Sequence, residues 1–156
     1  MLRPSTVADA DAVSVMAGDF EVVRHTGTWP WPADRAFTKA RCGRGFTGRG
    51  GWLLAYDGAA LVGMVGLRED GDLGYMLARA HWGSGYATEM GRAVVDFAFG
   101  RGGWARLRAC VFDDNPASAR VLQKLDFTEG PACRGQCAAR GDEFPIRNFT
   151  LTRTEA

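Results

Sequence analysis

Leu77-Ala78-Arg79-Ala80-His81-Trp82-Gly83-Ser84-Gly85-Tyr86-Ala87-Thr88-Glu89 joins a strand-like run to a long helical one. The run before it, Leu73 to Leu77, is short and apolar. The run after it, Tyr86 to Gly100, carries Met90, Val94, Phe97 and Ala98 at helical spacing. A strand feeding a helix through Gly83 and Gly85 has two readings. One is an ordinary tight turn. The other is an anion cradle, because the first N–H groups of a helix lack intrahelical partners and sit at the positive end of its dipole. Glycines allow a phosphate to approach that backbone closely. Two named alternatives fail on detail. A dinucleotide fingerprint needs a third glycine where Thr88 stands, and a Walker A loop needs a lysine that is absent here.

Working outward toward the N-terminus, Trp52–Tyr56 and Leu61–Leu67 flank an Asp57-Gly58 hairpin turn, and Asp70-Gly71 turns into the Leu73–Leu77 strand. Before this meander come a short strand at Leu2-Arg3, a helix from Thr6 to Ala17 with Asp9 three residues past a Thr6 cap, and helices at Asp19–Arg24 and Asp34–Arg41. Trp29-Pro30-Trp31-Pro32 interrupts regular structure, and Gly43–Gly51 reads as a loop. Toward the C-terminus, Gly102-Gly103 ends the long helix and Leu107–Phe112 is a strand. A helix over Pro116–Leu125 follows, with Asn115 as its cap and Pro116 in its first turn. Phe127 starts another strand, and Ile146–Leu151 closes the sheet. The pattern predicts an α/β (α+β) domain with a mixed sheet and helices on its faces.

The 156 residues suffice for one domain, 1–156. A net charge of +1 supplies no field toward nucleic acid or anionic lipid. No apolar run reaches the length of a membrane span, and Met1-Leu2-Arg3-Pro4 lacks a signal-peptide core. A cytoplasmic location is the expectation. Cys42, Cys110, Cys133 and Cys137 read as free thiols, and with His25 and His81 far from the Cys133/Cys137 pair no metal site is expected.

The second informative stretch is Asp113-Asp114-Asn115-Pro116-Ala117-Ser118-Ala119-Arg120-Val121-Leu122-Gln123-Lys124-Leu125-Asp126-Phe127. Val121, Leu122 and Leu125 form an apolar stripe. Together with Leu2-Arg3-Pro4, Asp9-Ala10-Asp11-Ala12, Gly74-Tyr75-Met76-Leu77 and the Trp82–Glu89 loop, it resembles the GNAT superfamily of acetyl-CoA-dependent N-acetyltransferases. The match is nearest the RimJ/RimL-type branch, which acetylates protein N-termini. The resemblance runs through nearly the whole chain. It implies a mostly antiparallel sheet of six to seven strands, with helices on both faces, splayed into a V-shaped cofactor cleft.

The resemblance also implies roles. Trp82, Gly83, Ser84, Gly85, Tyr86, Ala87 and Thr88 would hold the pyrophosphate of acetyl-CoA. Tyr75, Met76 and Leu77 would run beside the pantetheine arm, with the backbone near Leu77 stabilising the oxyanion. Asn115 would bond the arm, and Ser118 would approach the sulfur. Many members carry a tyrosine acid where Leu122 stands, so Ser118 takes that role here. A thiolate leaving group, with a pKa of about 8.5, needs only a hydrogen bond. The usual glycine after the last helix is Asp126, which must adopt a left-handed backbone. The acceptor amine would sit near Arg24, His25, Trp29 and Trp31, and against a final hairpin over Arg134–Phe144. Asp72 and Glu69 stand at the strand start, where turn solvation explains both, and no base is assigned. The expected acceptor is a peptide or protein N-terminus. A small amine (aminoglycoside, polyamine or amino acid) and a non-catalytic coenzyme-binding module are the alternatives. The chain is expected as a monomer or homodimer.

Overall fold

The computed structural model describes residues 1–155. Strand β1 (Leu2–Pro4) leads into a single 3-10 turn at Val7–Asp9, then α1 (Ala10–Ala17), α2 (Phe20–Val23) and α3 (Arg35–Cys42). The meander follows as β2 (Gly51–Asp57), β3 (Ala60–Leu67) and β4 (Leu73–Leu77). Helix α4 (Tyr86–Gly100), β5 (Arg106–Phe112) and α5 (Pro116–Lys124) come next, then β6 (Thr128–Glu129), β7 (Cys133–Cys137) and β8 (Asp142–Thr152). Among the described residues there are eight strands rather than six to seven. Cys133–Cys137 pairs with the first half of β8, although its polar, glycine-containing sequence carries no strand signal.

All strand ladders are antiparallel, in two four-stranded sheets. One has the order β1-β2-β3-β4. In the other, β8 is the centre, pairing with β5, β6 and β7. The mixed character comes from the crossover β4-α4-β5, which sets β5 parallel to β4. These two strands touch at one bridge, Asp72 to Arg108, sealed by the Arg108 N–H donating to the Gly71 carbonyl at 2.8 Å. Gly71 makes that apex possible. Its φ is +88°, and a β-carbon there would fall 2.6 Å from the Arg106 carbonyl oxygen. Beyond the apex β4 and β5 part, leaving a cleft between the sheets.

The first sheet is buried on both faces, which is why β3 reads as nearly continuous apolar sequence. Val13, Met16 and Val23 of α1 and α2 cover Leu54, Met64 and Met76. On the other side, Val94 of α4 and Leu122 of α5 pack with Val65, Leu77, Leu107 and Phe149. Asp126 takes the left-handed conformation expected of it, at φ 67°.

Asp9 is the buried charge that locks β1 to the first helix. Arg3 donates to both of its carboxylate oxygens, at 3.0 and 2.6 Å, and the Thr6 N–H donates at 2.7 Å. The Arg3 guanidinium holds the Asp9 carboxyl down at about 2, against an ordinary 3.8. A depressed acid stabilises the native state above its unfolded pKa and loses that contribution as pH falls through the folded value. Replacing Asp9 with asparagine should cost roughly 1–2 kcal/mol at pH 7, since Arg3 is partly solvated. Urea melts of the two proteins should converge as pH falls from about 4 toward 2.

Candidate active site

The cleft opens into a cavity of about 1410 Å³ lined by β4, β5 and the starts of α4 and α5. Helix α4 begins at Gly85, whose φ of +82° only glycine adopts without strain. The first helical bond is Glu89 N–H to the Gly85 carbonyl. Among the described residues, every N–H from Gly83 to Thr88 lacks a backbone acceptor. A β-carbon on Gly83 or Gly85 would meet nothing within 4 Å, so both glycines face open space. The helix start is pinned from outside by the Tyr86 hydroxyl, which donates to Asp57 at 2.7 Å.

Strand β4 presents its free edge to the same space. The Ala78 N–H donates to the Val62 carbonyl. Antiparallel ladders alternate, so the main-chain groups of Tyr75 and Leu77 turn the other way, toward the gap. No strand pairs with either residue on that side. The Leu77 carbonyl is already used, accepting the Trp82 indole N–H at 3.0 Å. Of the Leu77 main-chain groups, the N–H remains to meet a ligand. Trp82 thus fastens the glycine loop to the strand end, a role the sequence did not reveal.

Across the gap, Asn115 caps α5, its side-chain oxygen accepting the Ser118 N–H at 3.3 Å. This points the first turn of α5 into the cleft. The Ser118 hydroxyl lies 2.6 Å from the Tyr75 hydroxyl, which also donates to the Ser118 carbonyl at 3.2 Å. Burial pushes the Tyr75 phenol up to about 12, so it stays protonated at neutral pH. Tyr75 was expected to contribute through its backbone; its side chain also bridges the two halves of the cleft. Leu122, one turn beyond Ser118, is fully buried beside it.

Of the remaining residues expected here, Met76, Ala87 and Thr88 line the cavity, as do His25 and Trp29. Ser84 is exposed and outside the lining. Two acceptor-side expectations are corrected. Arg24 turns away to Glu21 at 3.5 Å and Asp114 at 3.7 Å, because those carboxylates lie beside it on α2 and before α5. Trp31 is 47% exposed, its edge against Phe20 and its indole N–H on the Gly18 carbonyl. It packs over the α1–α2 junction, not the cleft. His25 keeps a buried Nδ1 with no partner, and burial, with Arg24 adding to it, lowers its pKa.

Sequence reasoning passed over two residues that line the cavity, Trp52 and Arg41; Asp72, a candidate base left unassigned there, lines it as well. Burial, reinforced by Asp70, raises the Asp72 pKa. Asp72 carried a signal as an acid at a strand start, but nothing local showed that it faces a cavity. Among the described residues no group of three or more histidine, cysteine or acidic side chains is arranged to hold a metal. The Cys137 thiol is buried, donating to the Arg24 and Thr26 carbonyls.

The family described as the acetyltransferase (GNAT) domain matches residues 1–128. The chain belongs to the GNAT acetyltransferase family. Among curated relatives, this GNAT chain is 28% identical over 103 residues to the N-acetyltransferase YoaA of Bacillus subtilis, covering 62% of the chain and 58% of YoaA. It is 31% identical over 84 residues to the N-acetyltransferase p20 of Bacillus licheniformis, 54% of the chain and 47% of p20. The chain thus spans about half the length of these relatives. Among solved structures it resembles RimL, a ribosomal L7/L12 alpha-N-protein acetyltransferase in complex with coenzyme A. The TM-score is 0.80 at 16% identity, covering 97% of the chain and 92% of RimL. It also resembles a spermidine N-acetyltransferase SpeG mutant from Vibrio cholerae, with TM-score 0.74 at 14% identity, covering 97% of the chain and 94% of SpeG. The shared GNAT fold therefore serves both a protein N-terminus and a polyamine, and does not choose the acceptor.

Proposed function

We propose that this GNAT protein is an acetyl-CoA-dependent N-acetyltransferase acting on an α-amino group, in the first instance that of a peptide or protein N-terminus, as in the RimJ/RimL branch. The reading is carried by one juxtaposition. The unpartnered N–H run of Gly83–Thr88 and the Tyr75–Ser118 hydroxyl pair open on the same cavity. The first suits a diphosphate by charge and donor geometry. The second suits a leaving thiolate.

Acetyl-CoA supplies an activated acyl group. The chain's residues do the rest. The backbone from Gly83 to Thr88 binds the diphosphate, and the free edge of β4 at Tyr75 and Leu77 aligns the amide-bearing arm. The Leu77 N–H donates to the carbonyl oxygen as negative charge grows there. The acceptor nitrogen forms a bond to the acyl carbon as the carbon–sulfur bond breaks. Ser118, held against the Tyr75 hydroxyl, gives a hydrogen bond to the departing sulfur. An α-amino group with a pKa near 8 is partly neutral at pH 7.5, so its proton needs only water and a nearby acceptor. Asp72, with its raised pKa, and the neutral His25 stand on that side.

Ser118→Ala should lower kcat about 10- to 100-fold while changing coenzyme A affinity less than about threefold. Thiol release from acetyl-CoA over a panel of peptide and small amines, with calorimetry for coenzyme binding, checks both. Unchanged kcat removes Ser118 from the mechanism. Tight coenzyme binding with silence toward every amine favours a binding module.

A small-molecule acceptor is the second reading. It is favoured by the aromatic wall of the cavity, where Trp29 and Trp52 stand against Arg41.

A further inference from the structure

Arg41, in the last turn of α3, is a cation without a counter-ion. Its guanidinium lies 5.3 Å from the Trp29 ring, 4.7 Å from Phe37 and 5.3 Å from Trp52. Its one hydrogen bond goes to the neutral Thr28 hydroxyl, at 3.2 Å. A guanidinium has five N–H donors. Among the described residues no carboxylate lies within ion-pair distance of it. The aromatic faces hold the cation in place but offer no hydrogen-bond acceptor for the remaining donors. Half-buried charge normally finds an opposite partner, because desolvation is otherwise uncompensated.

The surroundings deepen the imbalance. The charges that bear on Arg41 are those of Arg44 and Arg68, both positive, and together with burial they lower its pKa. All three arginines line the cavity. Of the acids on this wall, Asp70 is engaged by Arg68 and Arg108, at 3.6 and 3.1 Å. Asp72 and Glu69 also line the cavity and form no ion pair with Arg41. An anion would give Arg41 the partner it lacks.

Position narrows the anion. The Trp52 indole lies flat across β3, since a β-carbon on Gly66 would fall 2.5 Å from its ring, and it extends to Gly74 of β4. Arg41 packs against that indole at 5.3 Å, on a wall of the cavity that also holds Gly74 and Leu77. Leu77, whose free N–H marks the reaction point, is three residues beyond Gly74, about 10 Å along the strand. An acceptor held at Arg41 by a carboxylate and presenting its amine at Leu77 would lie within this one cavity.

We propose that Arg41, backed by Arg44 and Arg68, is an acceptor-carboxylate subsite, so that the amine acetylated by this protein carries a carboxylate. This rests on the transferase reading above and names its substrate class. Two sources share the chemistry: a free amino acid, and a peptide whose first residue is Asp or Glu.

The test pairs each acceptor with its neutral counterpart: free amino acids with their amides, and Asp- or Glu-initiated peptide amides with Asn- or Gln-initiated ones. Thiol release is read for every pair. In parallel, tryptophan fluorescence is titrated with the same compounds, because Arg41 contacts both Trp29 and Trp52. At least one charged series is expected to exceed its neutral partner about tenfold or more in kcat/KM, and to perturb the fluorescence at lower concentration. Which series does so identifies the source. Arg41→Gln should collapse that ratio toward one, and Arg41→Lys should restore part of it. Equal rates and equal fluorescence midpoints for charged and neutral partners in wild-type protein overturn the subsite, whether or not the variants fold. Fluorescence selective for the carboxylate with no turnover of any amine would keep the subsite and remove the transferase reading. Turnover without selectivity would do the reverse.

Discussion

Gly85→Leu is expected to weaken coenzyme A binding by about 100-fold, or about 2.7 kcal/mol. Two effects combine. Gly85 sits at φ +82°, where a side chain costs about 1–2 kcal/mol of backbone strain. Its β-carbon would meet no protein atom, so the new side chain extends into the space before α4, where the proposed diphosphate lies. The first effect lowers stability; the second blocks the ligand. Gly103→Leu separates them. Gly103 has φ +78° and open space around it, but it follows the far end of α4 and does not line the cavity. Both variants should lose similar stability in thermal melts. Only Gly85→Leu should lose coenzyme affinity by calorimetry. Equal, near-native affinities in the two would remove the cradle.

Leu122→Ala should destabilise the protein by about 3 kcal/mol, among the largest single-residue effects available to it. Leu122 has no exposed surface and packs in the cluster with Val94, Leu107, Leu125 and Phe149. Truncation removes buried methyl groups and leaves a cavity that α4 and α5 cannot close. These helices already touch so tightly that a β-carbon on Gly91 would fall 2.5 Å from Leu125 Cδ1. For a chain of this size the melting temperature should fall by roughly 6–12 °C. Leu122→Met, which nearly conserves volume, should cost less than about 1.5 kcal/mol. Well below its melting point Leu122→Ala should keep coenzyme affinity. That would identify position 122 as core, consistent with Ser118 and not residue 122 serving the leaving group.

Much of the fold was legible because its signals are local. Helix α4 begins and ends where the Met90, Val94, Ala98 spacing and the flanking glycines place it. Asn115 caps α5 as its side chain requires. The hairpin between β2 and β3 turns at Gly58. The Cys133–Cys137 strand was not legible from its own composition, since pairing with β8 makes it extended; only the family resemblance placed a hairpin over Arg134–Phe144. The candidate site divides along the same line. The Gly83–Thr88 loop could be read from glycine spacing before a helix. The Tyr75–Ser118 contact joins residues 43 apart in sequence. The stacking of Arg41 on Trp52 and the turning away of Arg24 and Trp31 likewise depend on which faces the two sheets present.

By itself, then, the chain's residue order determined where backbone donors are left free, because capping, glycine conformation and hydrophobic period act within a few neighbours. Only the tertiary structure decided what those donors face. The parting of β4 from β5 beyond Gly71 creates a space whose walls come from distant segments. Burial within it raises the Asp72 and Tyr75 pKa values and strands the charge of Arg41.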